Sequence, residues 1–242
     1  MNGNYERVQL VARVAGILML VTIVAGFFGE IYVPSHIIVS KDAAATAANI
    51  TTHESLFRIG FASYLVEAIC DVALSLLFFV LLRPVQKNIA LLSAFFGLVS
   101  TAVYAVAELS FFASMIVLKA GSDLAPFSIR ERQGLAYIFV KVFTNGGGLF
   151  MAFYGIAAVV RGYLIFRSSY IPKTIGAFFM IAGCGFIAKN FTLVLAPSWS
   201  SDLLLAPMFV ATVLLTFWLL VKGVDVSQWQ LARLTCEEGR DN

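Results

Sequence analysis

Residues 55–82 read SLFRIGFASYLVEAICDVALSLLFFVLL, and the fold follows from how this stretch is read. About 20 apolar residues, rising about 1.5 Å each, cross a hydrocarbon core. The stretch is long enough to do so as one helix. Near its middle stand Glu67 and Asp71, four residues apart and hence on one face. Gly60, Ser63, Tyr64 and Ser75 fall within a right angle of Glu67 on a helical wheel, while Phe61, Leu65, Ile69, Val72 and Leu76 take the opposite side. One face is small and polar, and the other suits lipid. An acid at the bilayer centre costs about 2.5–3.5 kcal/mol on insertion scales. Both acids are therefore expected to turn toward partner helices, or to share a proton, because close like charges oppose double ionisation. Two readings stand: a hydrogen-bonded lock that holds a bundle together, or a site for a ligand, ion or proton.

The rest of the chain has the same character. It has 242 residues, 60% hydrophobic and 13% charged, with a mean hydropathy of +0.88. Soluble domains run at about 45–50% apolar and about 25% charged. The apolar runs are too long for barrel strands and lack strand alternation, so the expected class is an all-α polytopic membrane helix bundle. A net charge of +3 with no long basic run gives no reason to expect nucleic acid as a partner. Of the three cysteines, Cys70 and Cys184 fall in spans and Cys236 in the tail, without a Cys-x-x-Cys, so neither a disulfide framework nor a zinc site is implied.

Working outward, the apolar runs predict six spans at about 10–32, 55–82, 89–118, 133–166, 171–195 and 203–221. Together they make a transmembrane domain over 1–222, followed by a short polar tail over 223–242. The first run outlasts a signal-peptide core of about 7–15 residues and is read as an uncleaved span. Pro34 is expected to end it, leaving His36 and His53 in the loop before Glu54, where DAAATAAN has the makings of a short interfacial helix. The fourth run is the longest and carries Lys141, then Asn145-Gly146-Gly147-Gly148. Such a triplet either loosens a helix, as at transporter sites, or lets a neighbour approach closely.

Orientation follows the positive-inside rule. With the N-terminus inside, the inner side collects Arg7, Arg83, Lys87, Arg161, Arg167, Lys173, Lys222, Arg233 and Arg240, against Lys41, Lys119, Arg130 and Arg132 outside. The expected location is the inner (plasma) membrane, with both termini cytoplasmic. Two hairpin corners echo each other: LLRPVQKNIALLSAFFG at 81–97 and IFRSSYIPKTIGAFFM at 165–180. Each sets basic residues and a proline turn before an aromatic-rich span.

The span-borne charges are the candidate functional groups. The acids are Glu30, Glu67, Asp71 and Glu108, and the bases are Arg13, Arg58, Lys141 and Lys189, four against four. Buried charges persist when paired. Glu67 and Glu108 are therefore expected to pair with Lys141 and Lys189 in a polar pocket that opens toward the outer face. The candidate ligand-binding residues are Glu67, Asp71, Glu108, Lys141, Asn145, Lys189 and Asn190.

No His-Glu-x-x-His, Gly-x-Ser-x-Gly or P-loop appears, and with both histidines placed in a loop no paired-histidine haem site is expected. Serines and threonines in the spans, lacking a histidine base, read as helix glue. No catalytic residue, metal ligand or cofactor is expected. The expected partners are the lipid bilayer and a small molecule, lipid or ion. The oligomeric state is open.

Several stretches carry a family likeness: ARVAGILMLVTIVAGFFGE (12–30), KDAAATAANI (41–50), FRIGFASYLVEAICDVALSLLFFVLLRPV (57–85), GYLIFRSSYIPKTIGAFFMIAGCGF (162–186) and LLVKGV (219–224). In this order the chain resembles the bacterial integral membrane proteins grouped as domain of unknown function 4386. The resemblance implies a multi-span inner-membrane protein of unassigned activity and brings no catalytic residues with it. The best reading of function is a bundle that binds or transports a ligand through its buried polar site; the alternative is a non-catalytic structural or regulatory membrane component whose charges only lock the helices, and an intramembrane enzyme, with the carboxylates as its only acid–base groups, ranks third.

Overall fold

The computed structural model describes residues 2–238, with the side chains of 6–121, 123–145 and 148–235. Among the described residues all regular structure is helical: α1 (Asn2–Gly26), a π-helical turn (Phe27–Tyr32), α2 (Val33–Ile37), α3 (Ala43–Thr52), α4 (Glu54–Leu82), α5 (Lys87–Lys119), α6 (Ile129–Arg167), α7 (Lys173–Leu195), α8 (Ala206–Val221) and α9 (Val226–Glu238), with short 3-10 turns between. Six helical runs are long and apolar enough to cross a membrane: Glu6–Ile37, Glu54–Leu82, Lys87–Lys119, Ile129–Arg167, Lys173–Leu195 and Asp202–Val221. The chain is an all-α, multi-pass membrane bundle. The lipid-like face read from α4 is outward, with Leu65, Ile69, Val72 and Leu76 all exposed.

One local expectation changes, and one open alternative is settled for the backbone. Pro34 does not end the first run, which continues to Ile37 and carries His36 in its last turn. Proline in a helix loses a donor and clashes with the carbonyl four residues back. Here the turn before it is π-helical, and the Val33 N–H bonds to the Phe28 carbonyl, a five-residue step that accommodates the ring. His36 is therefore not a loop residue; its Nδ1 lies 2.8 Å from the Tyr32 carbonyl oxygen. The glycine triplet does not interrupt α6, which is helical throughout 129–167. The DAAATAAN tract does form a helix, α3, capped by Asp42, whose Oδ1 accepts from the Ala45 N–H at 2.9 Å.

The chain divides into two compact units. The first comprises Met1–Val21, Cys70–Thr101 and Phe150–Asn242; the second comprises Thr22–Ile69 and Ala102–Leu149.

In the first unit α6 and α7 pack backbone to backbone. A Cβ on Gly176 would lie 2.5 Å from the Phe166 nitrogen and 2.6 Å from the Gly162 oxygen, and one on Gly183 would lie 2.5 Å from the Gly155 oxygen. These glycines recur seven residues apart on both helices and form an antiparallel seam of the small-residue kind. Hydroxyls add the expected glue: Ser93 donates to the Ala157 carbonyl at 3.0 Å and Ser100 to that of Phe150 at 3.1 Å.

The corner after α4 is closed differently. Val85 N–H turns back to Leu82, so the Leu81 carbonyl leaves the helical ladder. Tyr170 Oη (2.8 Å) and Trp229 Nε1 (2.9 Å) both donate to it. A buried carbonyl left unsatisfied costs about 1–3 kcal/mol, and here two side chains guard against it. Burial pushes the Tyr170 phenol above its ordinary value, so it stays a donor through the physiological range.

Trp229 belongs to α9. Within the polar tail α9 is capped by Asp225, whose Oδ1 accepts from the Gln228 N–H, and anchored by the buried Val226 and Trp229. That spacing of three is the signal for it in the sequence.

The second unit has its own core: Val33, Ile37, Ile50, Phe57, Tyr64, Ala107, Phe111, Met115, Val140 and Phe143. It is aromatic at heart, with Phe57 stacked on Phe111 at 4.4 Å and Phe111 4.7 Å from Phe143. Buried rings of this size dominate core energetics, and each favourable pair adds about 0.5–1.5 kcal/mol beyond its area.

Candidate functional site in the second unit

The π-helical turn FFGEIY organises the site. In a five-residue register the Gly29 carbonyl would accept from Pro34, which has no N–H. In a four-residue register it would accept from Val33, whose N–H is committed to Phe28. The missing donor comes from α4: the fully buried Tyr64 hydroxyl donates to Gly29 O at 2.6 Å. Contact this close depends on Gly29, where a Cβ would stand 2.8 Å from the Tyr64 ring. The same turn presents Glu30, whose Oε1 accepts from Tyr104 Oη of α5 at 2.5 Å. π-Turns of this kind recur at functional sites.

Two further acids come to the same place. Glu67 lies beside Gly26, where a Cβ would be 3.2 Å from its Oε1, and Glu108 of α5 is 3% exposed. Glu108 stands one helical turn along α5 from Tyr104, and Glu67 nearly one turn along α4 from Tyr64, so acids and phenols share faces. The surroundings are aromatic, with Tyr64 5.7 Å from Phe143, 6.2 Å from Phe111 and 6.3 Å from Tyr104, centroid to centroid. Chemically the arrangement is a set of carboxylates and phenols walled by rings. It can hold or pass a proton, or receive a positively charged group. Among the described residues no group of three or more histidines, cysteines or acids is placed to hold a metal ion.

The sequence-derived set is divided. Glu67, Glu108, Lys141 and Asn145 belong to the second unit, and Asp71, Lys189 and Asn190 to the first. The expected pairing of Glu67 and Glu108 with the two lysines is not what the lysines show. Lys189 Nζ is 2.6 Å from Asp202 Oδ1, beyond the end of its own helix. Lys141 Nζ lies 5.3 Å above the Tyr137 ring. Arg58 and Lys119 both bind Glu54, an acid at the very start of α4. Long cationic side chains thus reach toward helix ends or rings, whereas short carboxylates stay where the backbone puts them. Asn145 is exposed and Asn190 buried.

Arg161, read as a membrane-flanking cation, is buried at 5% exposure, with its guanidinium carbon 4.3 Å over the Phe78 ring. Sequence reading left Glu30, Tyr64 and Tyr104 out of the pocket. Tyrosines on the polar face of an acid-bearing span were the available signal. The π-turn that brings Glu30 in had none beyond Pro34.

A family model described as domain of unknown function 4386 matches residues 14–223. An uncharacterized protein of the archaeon Archaeoglobus fulgidus is 30% identical over 160 residues, covering 66% of this chain and 81% of the relative. No solved structure matches.

Proposed function

The chain belongs to the family of domain of unknown function 4386, and from that premise we propose that it is a membrane bundle that binds, and in doing so carries or senses, a proton or a small organic cation. The observation that carries this reading is the gathering of acids around one turn of the second unit: Glu30 bonded to Tyr104, Glu67 beside Gly26, and the buried Glu108 one helical turn along α5 from Tyr104. Acids at bilayer depth mark ion and proton pathways. Three carboxylates near one phenol cannot all ionise in a low dielectric without repulsion. A proton or a bound positive charge relieves that repulsion, and the rings of Phe111, Phe143 and Tyr64 offer faces suited to an ammonium group. Asp71, Lys141, Asn145, Lys189 and Asn190 take supporting rather than ligating places in this reading. The basic residues at Arg83, Lys87, Arg167, Lys173 and Lys222 support a plasma-membrane placement with both termini on the cytoplasmic side.

A second reading is a structural component whose acids only tie helices together. The bonds from Tyr64 to Gly29 and from Tyr104 to Glu30 favour it.

Native mass spectrometry of the purified protein beside its Glu67→Gln variant decides between them. A cationic molecule retained by the first and absent from an equally folded second is the expected result. Identical spectra exclude a bound cation; if proton uptake after a pH jump in vesicles is then also equal for the two proteins, and only the melting temperature has changed, the structural reading is selected.

A further inference from the structure

A cleft of about 430 Å³ opens in the first unit, away from the residues discussed above. Pro84 and Val85 of the α4–α5 turn form one wall, Arg167 at the end of α6 and Ser169 after it a second, and Gln228 and Thr235 of α9 a third. None of its lining residues is acidic. Arg167 makes no ion pair among the described residues and is exposed. Its guanidinium offers a planar fork of donors suited to a phosphate, and the hydroxyl and amide groups beside it offer further donors.

The cleft also lies where three spanning helices end: α4 at Leu82, α5 at Lys87 and α6 at Arg167. The exposed Leu231, at 60%, lines this basic opening, and Phe166 and Leu234, next to Arg167 and Thr235 in sequence, are exposed as well. A cation and hydroxyls facing a cleft, with apolar groups at its edge, is the pattern of a surface that meets a lipid at its headgroup.

We propose that this cleft binds the phosphodiester headgroup of an anionic phospholipid, with Arg167 as the phosphate contact and α9 lying in the interface. The volume falls within the range of small-ligand sites, about 300–1,000 Å³. The same phosphate chemistry could come from a soluble phosphate, and the experiment separates the two sources.

Detergent-purified full-length protein is titrated with dioleoyl phosphatidylglycerol and, separately, with inorganic phosphate, with dioleoyl phosphatidylcholine as the neutral control. Bound adducts are read by native mass spectrometry. Phosphatidylglycerol is expected to bind at least tenfold more tightly than phosphatidylcholine. Arg167→Gln should remove that preference, Arg167→Lys should restore part of it, and Lys222→Gln, outside the cleft, should leave it unchanged. Inorganic phosphate bound in place of lipid, and lost in Arg167→Gln, upholds the phosphate contact and overturns the lipid source. Lipid preference that survives Arg167→Gln, or falls equally in Lys222→Gln, overturns the site. Circular dichroism and a melting curve show that each variant is folded.

Discussion

The two units hold themselves together by different means. In the first, polar groups act on backbone: Tyr170 and Trp229 on the Leu81 carbonyl, Ser93 on Ala157, and Gln9 on the turn at Lys222 and Val224. Bare glycine seams bring its helices into contact. In the second, aromatic rings fill the centre, and carboxylates stand among them with phenols as their neighbours. Backbone-directed hydrogen bonds and small-residue seams are ways to stabilise helices in lipid. Carboxylates inside a span oppose stability unless something else requires them. Tyr64 on Gly29 shows that the second unit uses the first unit's device too, so what sets it apart is the gathering of carboxylates among its rings, groups whose use lies beyond holding helices.

The contrast breaks most readily at the α6–α7 seam. Gly176→Leu drives a side chain into the backbone of Phe166 and Gly162, which cannot step aside, so the loss should reach about 3 kcal/mol, the upper end for overpacking. The check is the melting temperature and monodispersity in detergent. Gly134→Ala is the control: nothing lies within 4 Å of that position, and replacing a helical glycine should leave stability unchanged or raise it by up to about 1 kcal/mol.

Next comes the Leu81 carbonyl. Tyr170→Phe alone leaves Trp229 as donor and should cost about 1 kcal/mol or less, because the carbonyl remains satisfied. Adding Trp229→Phe strands the carbonyl, and the pair should cost about 2–3 kcal/mol, more than the sum of the singles. Additive singles would show that the carbonyl is not what the two donors share.

The fate of this corner shows how much of the molecule was legible in its sequence. Six spans and an all-α class follow from run length and composition, and the structure holds six such runs. The outward face of α4 follows from period alone, since lipid exposure is a property of one helix. Pairing was not legible. A count of four acids against four bases says nothing about reach, and Lys189 and Arg58 found Asp202 and Glu54, acids outside the counted set. Pro34 misled because a breaker in an α-helix is tolerated beside a π-turn, and nothing in FFGEIY announces that register. Without the turn, Glu30 reads as a rim residue. With it, Glu30 joins the tyrosines.

The second unit should respond in the opposite sense to the first. Glu108→Gln removes one of three neighbouring acids while keeping shape and hydrogen-bonding capacity. Stability should shift by less than about 1 kcal/mol, or rise, as like-charge repulsion is relieved. Any bound cation should be lost with it. Thermal shift and native mass spectrometry on the same preparation read both effects. A fall of several kcal/mol with no ligand change would make the acids part of the scaffold and erase the distinction between the units.

The smallest effect is expected at the Lys189–Asp202 ion pair of the first unit, and it tests how far that unit relies on this charge. Lys189 is 14% exposed, but its partner Asp202 is 89% exposed and sits on a short 3-10 turn. A contact with one end in solvent is worth about 0–1 kcal/mol, and salt screens it further. Asp202→Asn should therefore lower stability by less than about 1 kcal/mol, and the difference should vanish near 1 M salt, where the screening length is about 3 Å. A loss above about 2 kcal/mol that persists in high salt would mean that Lys189 is held as a desolvated charge. The first unit would then depend on a buried ion as much as the second depends on its acids, and Lys189 would gain weight as a functional candidate.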